Sequence, residues 1–211
     1  MLSRIGGIAL GAIISSIVLG SCGDSTSPDD TPGLAASFVI VSGDQQEDTV
    51  GHELPQPLVA RITDASGRVV TGAVVSFVVT WGGGSVFSPA AQANAQGVVQ
   101  NRWTLGTSTA TPQQVEVRSV NPNTGAPIVF GRFEATARPD RPATLAKTDG
   151  DGQQGIAGAT VPNAPEVRVT DQYGNPVPGV TVSWAVANGG GTLSAATSTT
   201  DATRHRRFEW T

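Results

Sequence analysis

EVRVTDQYGNPVPGVTVSWAV, residues 166–186, carries the periodicity that sets the fold. From Glu166 to Thr170 polar and apolar residues alternate strictly, so Val167 and Val169 share one face, as period-two side chains of a strand must. Asp171-Gln172-Tyr173-Gly174-Asn175-Pro176 is a turn made of chain-breaking residues. Alternation then resumes, with Val180, Val182, Trp184 and Val186 on one side and Thr181, Ser183 and Ala185 on the other. The triplet Gly189-Gly190-Gly191 reverses the chain. Strand, turn, strand and reversal make this antiparallel β-structure.

The same pattern stands 107 positions earlier. Gly43-Asp44 falls on Gly150-Asp151, Thr63-Asp64 on Thr170-Asp171, Gly67 on Gly174 and Gly72 on Gly179. Val75-Ser76 meets Val182-Ser183, Gly82-Gly83-Gly84 meets Gly189-Gly190-Gly191, and Trp103-Thr104 meets Trp210-Thr211. Residues 36–104 match their counterparts at 21 of 69 positions without a gap. In the first copy Ala60 and Ile62 should point inward and Arg61 and Thr63 outward, followed by Val75, Phe77 and Val79 on a buried face. Residues 99–105 read as one further strand with Trp103 in the core. Residues 113–120 and 127–137 read as a hairpin around Asn121-Pro122-Asn123-Thr124-Gly125. About seven strands with turns every 8–12 residues are the signature of an Ig-like β-sandwich.

Composition agrees with an all-β chain. Of 211 residues 26 are Gly and 14 Pro, and charged residues make up 14%. Val, Thr, Ala and Ser fill the stretches between glycines, and such residues suit pleated surfaces joined by tight turns. The sole cysteine, Cys22, excludes an intrachain disulfide, so a sandwich here must rest on its apolar core.

The first 33 residues read as an address and a tether. Arg4 gives a positive start, and residues 5–19 are an apolar run too short for a membrane span of about 20 residues but suited to a signal peptide. Leu19-Gly20-Ser21-Cys22 follows. It resembles the bacterial lipobox, which implies cleavage between Ser21 and Cys22 and a lipidated Cys22 as the new N-terminus. Two or three acyl chains there would hold the chain firmly to a membrane. Residues 23–33, GDSTSPDDTPG, carry Asp24, Asp29 and Asp30 but no large apolar side chain, and are expected to form a flexible tether. Without residues 1–21 the chain has 12 basic residues against 17 acidic, near −5, which argues against a nucleic-acid partner. In a two-membrane cell, Gly23 rather than Asp after the lipidated cysteine permits an outer-membrane or cell-surface address, which is the one expected.

The run GDGQQG with VRVTDQYGNPVPGVTVSWAV and GGGTLS, within residues 150–194, resembles the bacterial Ig-like domain of group 1. The copy VARITDASGRVVTGAVVSFVVTWGGGSV, residues 59–86, matches more loosely. The adhesins invasin and intimin carry tandem copies of this domain and bind receptors through separate modules, so the resemblance implies a spacer. The expected domains are a signal peptide at 1–21, a tether at 22–33, a sandwich at 34–138 and an incomplete one at 139–211. The second copy lacks about 34 residues that the first has after Thr104. Arg204-His205-Arg206-Arg207 stands where the first has Gly97-Val98-Val99-Gln100. Either the sequence is a fragment, or its last 70 residues are expected to be poorly stable alone; an alternative is the N-terminal part of a longer surface protein with an effector domain further on.

No catalytic, cofactor-binding or metal-binding residues are expected. An active site needs a nucleophile with a base, an acid–base pair or a metal cluster. The only histidines are His52, where the second copy has Ala159, and His205 in the basic run. Asp149-Gly150-Asp151-Gly152 begins like a calcium loop, yet Gln153, Gln154 and Thr160 occupy positions that require an oxygen ligand, a glycine and a glutamate. The glycine triplets lack the lysine of a phosphate loop. Trp81 and Phe87 are the aromatic residues expected at the surface. The reading is a lipid-anchored, non-catalytic spacer or adhesive stalk, the alternative being a glycan- or protein-binding module acting through loops such as 82–97.

Overall fold

The computed structural model describes residues 34–110, 112–121 and 123–201, and the backbone of 206–207. Strands and turns make up these residues, without a helix. The protein is all-β, an Ig-like β-sandwich.

Ten strands form in residues 34–138: β1 (Ser37–Ser42), β2 (Gln46–Thr49), β3 (Leu58–Thr63), β4 (Val74–Trp81), β5 (Gly84–Val86), β6 (Ala90–Gln92), β7 (Val98–Asn101), β8 (Trp103–Leu105), β9 (Gln113–Val120) and β10 (Pro127–Arg138). They assemble as β1-β3-β7 and β2-β10-β9-β4-β6, with β5-β8 as a small ribbon. The inner faces meet in one core. Leu58, Ala60 and Ile62 come from β3, Val75 and Phe77 from β4, Val115 and Val117 from β9, and Phe133 and Ala135 from β10. Trp103 is buried among them, and its Nε1–H is a buried donor without a partner.

The count exceeds seven because the first stretch changes sheets, residues 99–105 divide, and the short strands β5 and β6 form. β1 pairs antiparallel with β3, whereas β2 pairs parallel with β10. Gly43 (φ +88°) and Gln45 (φ +55°) make the corner. A Cβ on Gly43 would lie 2.2 Å from the Pro57 carbonyl oxygen, so only glycine fits. The Gln46 side chain locks the corner, donating to the Gly43 (2.7 Å) and Gln56 (2.9 Å) carbonyls and accepting from the Gln56 N–H.

The second segment has β11 (Thr144–Asp149), β12 (Glu166–Thr170), β13 (Thr181–Ser183), β14 (Thr197–Thr199) and β15 (Arg206–Arg207), ordered β11-β12-β15 and β13-β14. Every register repeats 107 positions on. Ser37 opposite Thr63 becomes Thr144 opposite Thr170, and Val74 opposite Gln92 becomes Thr181 opposite Thr199. Val59 opposite Gln100 becomes Glu166 opposite Arg207, so the pairing survives the exchange of Val99-Gln100 for Arg206-Arg207. Gln153 repeats the corner lock of Gln46, with donors to the Gly150 and Asn163 carbonyls and an acceptor for the Asn163 N–H. Val167, Val169, Val177 and Val182 form its core, with Val180 and Trp184 partly buried against them.

Three expectations are corrected, and one further exposed side chain follows the same cause. Residues 99–105 are two strands in different sheets, broken at Arg102, because the Asn101 side chain turns to bind Ser88 and the Arg102 N–H. Thr63 is buried, since the following turn folds back and Val69 bridges to it. Val186 is 37% exposed where its counterpart Val79 is covered by Val115 of β9. Leu145 is 55% exposed where Phe38 packs against Phe133. Among the described residues neither side chain has the neighbour that β9 or β10 gives its counterpart.

Candidate functional site

The turn Asp171–Asn175 lies against the first segment. The Asp171 carboxylate holds the turn from inside: Oδ1 accepts the N–H groups of Tyr173 and Asn175, both at 2.9 Å, and Oδ2 accepts the Asn175 side-chain N–H at 2.8 Å. Oδ2 also accepts the Asp140 N–H at 3.0 Å, and the Gln172 side chain donates to the Asp140 carboxylate. The connection between segments is thus tied to the turn. Burial pushes the Asp171 carboxyl up, but the hydrogen bonds from Asn175, Asp140 and Tyr173 outweigh it and hold the group below its ordinary value.

Asn175 spans the joint. Its side-chain N–H donates to the Thr107 carbonyl at 2.9 Å, and its Oδ1 accepts the Thr109 N–H at 3.0 Å. Carbonyl and N–H two residues apart, both met by one amide, form the pattern that a neighbouring strand offers in a parallel bridge. Asn175 is only 7% exposed. The loop it grips is braced from the other side by Gln113, which is fully buried, accepts the Gly106 N–H at 2.6 Å and donates to the Gly106 and Ser108 carbonyls. The Tyr173 hydroxyl lies over Gly51, and an open cleft of about 570 Å³ runs between loop 107–110 and the strip Arg168, Tyr173 to Pro176.

The residues singled out from sequence fall elsewhere. Ser21, Cys22, His205 and Trp210 lie outside the described residues. Trp81 and Phe87 are 61% and 85% exposed. His52 stands 4.0 Å from Asp48, and Asp151 pairs with Lys147, whose hydrogen bond lowers the Asp151 pKa. Among the described residues no three His, Cys, Asp or Glu side chains gather to hold a metal ion. Sequence reading passed over the joint, because Asn175 reads as an ordinary turn residue. The available signal was its counterpart, Arg68, a break inside an otherwise matching turn.

Residues 147–203 match the family model of the bacterial Ig-like domain (group 1). This stretch is similar to a group 1 bacterial Ig-like domain. The match takes in β12, β13 and β14, the joint turn and the second half of β11, so Asp171 and Asn175 lie within the matched stretch. Among solved structures the chain is similar to the D0-D1 domain of intimin, at 16% identity over 84% of each chain with a TM-score of 0.35. It is also similar to the D00-D0 domain of intimin, at 14% identity over 82% of this chain and 84% of that one, with a TM-score of 0.38. No curated protein matches the chain.

Proposed function

We propose that the chain is a lipid-anchored, non-catalytic protein of the cell envelope whose Ig-like segments repeat in tandem and act as a spacer or adhesive stalk. The domains run 34–138 and 139–211, after a signal peptide at 1–21 and a tether at 22–33. The supporting observation is the joint: a buried asparagine that hydrogen-bonds across the boundary sets the angle between modules, which a spacer needs. The anchor reading rests on Leu19-Gly20-Ser21-Cys22, and Gly23 permits an outer-membrane address.

Growth with an alkyne palmitate analogue tests the anchor. Label is expected on the wild-type chain and none on Cys22→Ala; an unlabelled wild type, or a labelled variant, overturns it. A second reading, binding of a glycan or surface protein through loops such as 82–97, is favoured by the exposure of Trp81 and Phe87.

A further inference from the structure

We propose that the Asp171–Asn175 turn is a docking surface for the backbone of a preceding Ig-like segment, and that the residue four places after the turn aspartate decides whether docking occurs. Asparagine docks and arginine does not. The inference deepens the spacer reading, but its test reads inter-segment order alone, so a failed lipid anchor would leave it standing.

The two turns are built alike up to that residue. In the first, Asp64 Oδ1 accepts the N–H groups of Ser66 (2.8 Å) and Arg68 (2.9 Å), just as Asp171 accepts those of Tyr173 and Asn175. They part at the side chain. Arg68 folds back, its Nε 3.1 Å from Asp64 Oδ2, and remains 42% exposed. Asn175 reaches outward to Thr107 and Thr109.

The chemistry of recognition follows from donor and acceptor counts. The loop presents one carbonyl, at Thr107, and one N–H, at Thr109. A carboxamide matches both because it carries one acceptor and donors side by side. A guanidinium has five donors and no acceptor, so it could serve Thr107 but would set N–H against N–H at Thr109. An arginine there would instead fold back onto the Asp171 carboxylate, as Arg68 does onto Asp64. The partner recognised is therefore a short backbone segment held open by an internal brace, which here is Gln113 beneath Gly106 and Ser108. The recognition is mainly of backbone, with the Thr109 hydroxyl 3.4 Å from Asn175 Oδ1 as a weaker side-chain contact.

Distances between spin labels at Gln100→Cys and Ser183→Cys test this in the full-length chain in detergent, with Cys22→Ala so that only two thiols remain. A single narrow distance distribution is expected. Asn175→Arg, which gives the second turn the residue of the first, should abolish the narrow peak, and Arg68→Asn should leave it in place. Thr109→Pro removes the N–H from the other side without touching the second segment, and should abolish the peak as well, which separates loss of docking from loss of folding. A peak that stays narrow in Asn175→Arg or in Thr109→Pro overturns the proposal, as does a broad distribution in the parent chain.

Discussion

Phe133→Ala is expected to lower the unfolding free energy of the first sandwich by about 3–5 kcal/mol, the range for emptying a large aromatic site in a close-packed core. Phe133 is fully buried on β10, between β2 and β9, and its ring centroid lies 5.9 Å from that of Phe38 at 58°. That tilted pair joins the two sheets, since Phe38 stands on β1 and Phe133 on the opposite layer. Its position is guarded by Gly131: a Cβ there would sit 1.5 Å from the Phe38 ring, so Gly131→Ala must also displace Phe38. Denaturant unfolding followed by circular dichroism measures the loss. A change under about 0.5 kcal/mol, the usual scale of a surface substitution, contradicts the packing described.

Gln113→Ala acts through polar groups. It leaves the Gly106 N–H without its 2.6 Å acceptor and the Ser108 carbonyl without its 3.2 Å donor, while the Gly106 carbonyl keeps the Gly51 N–H at 3.1 Å. The orphaned Gly106 N–H is buried and costs about 1–3 kcal/mol, whereas the half-buried Ser108 carbonyl can turn to water, so the variant is destabilised by about 1–3 kcal/mol. Loop 106–110 also loses the brace beneath the contact with Asn175, and the variant should be cut there by thermolysin under conditions in which the wild type stays whole. Unchanged unfolding together with unchanged cleavage sinks this account of the loop.

Much of the fold was legible because burial in a two-layer sheet follows alternation. Val167, Val169, Val182, Ala60, Ile62, Val75 and Phe77 all face inward as the period-two pattern requires, and Trp103 is in the core. The pattern fails where an inward position needs a partner strand: Val186 alternates correctly yet remains exposed, because alternation says which face a residue occupies and nothing about what covers it. The switch of β1 and β2 between sheets was hidden for a related reason. It depends on backbone angles at Gly43 and Gln45, and glutamine carries no local preference for positive φ. The joint was the least legible part. Asn175 and Thr109 are 66 positions apart, and hydrogen bonds over such separations leave no periodic trace in one sequence.

Hydrogen–deuterium exchange of the backbone, resolved by segment, tests the two-layer β-fold most directly. Slow exchange is expected over Leu58–Thr63 and Gln113–Val120 and, at a lower level, over Glu166–Thr170, with fast exchange at the turn around Gly125. Rapid exchange across Leu58–Thr63 and Gln113–Val120 alike would contradict the account.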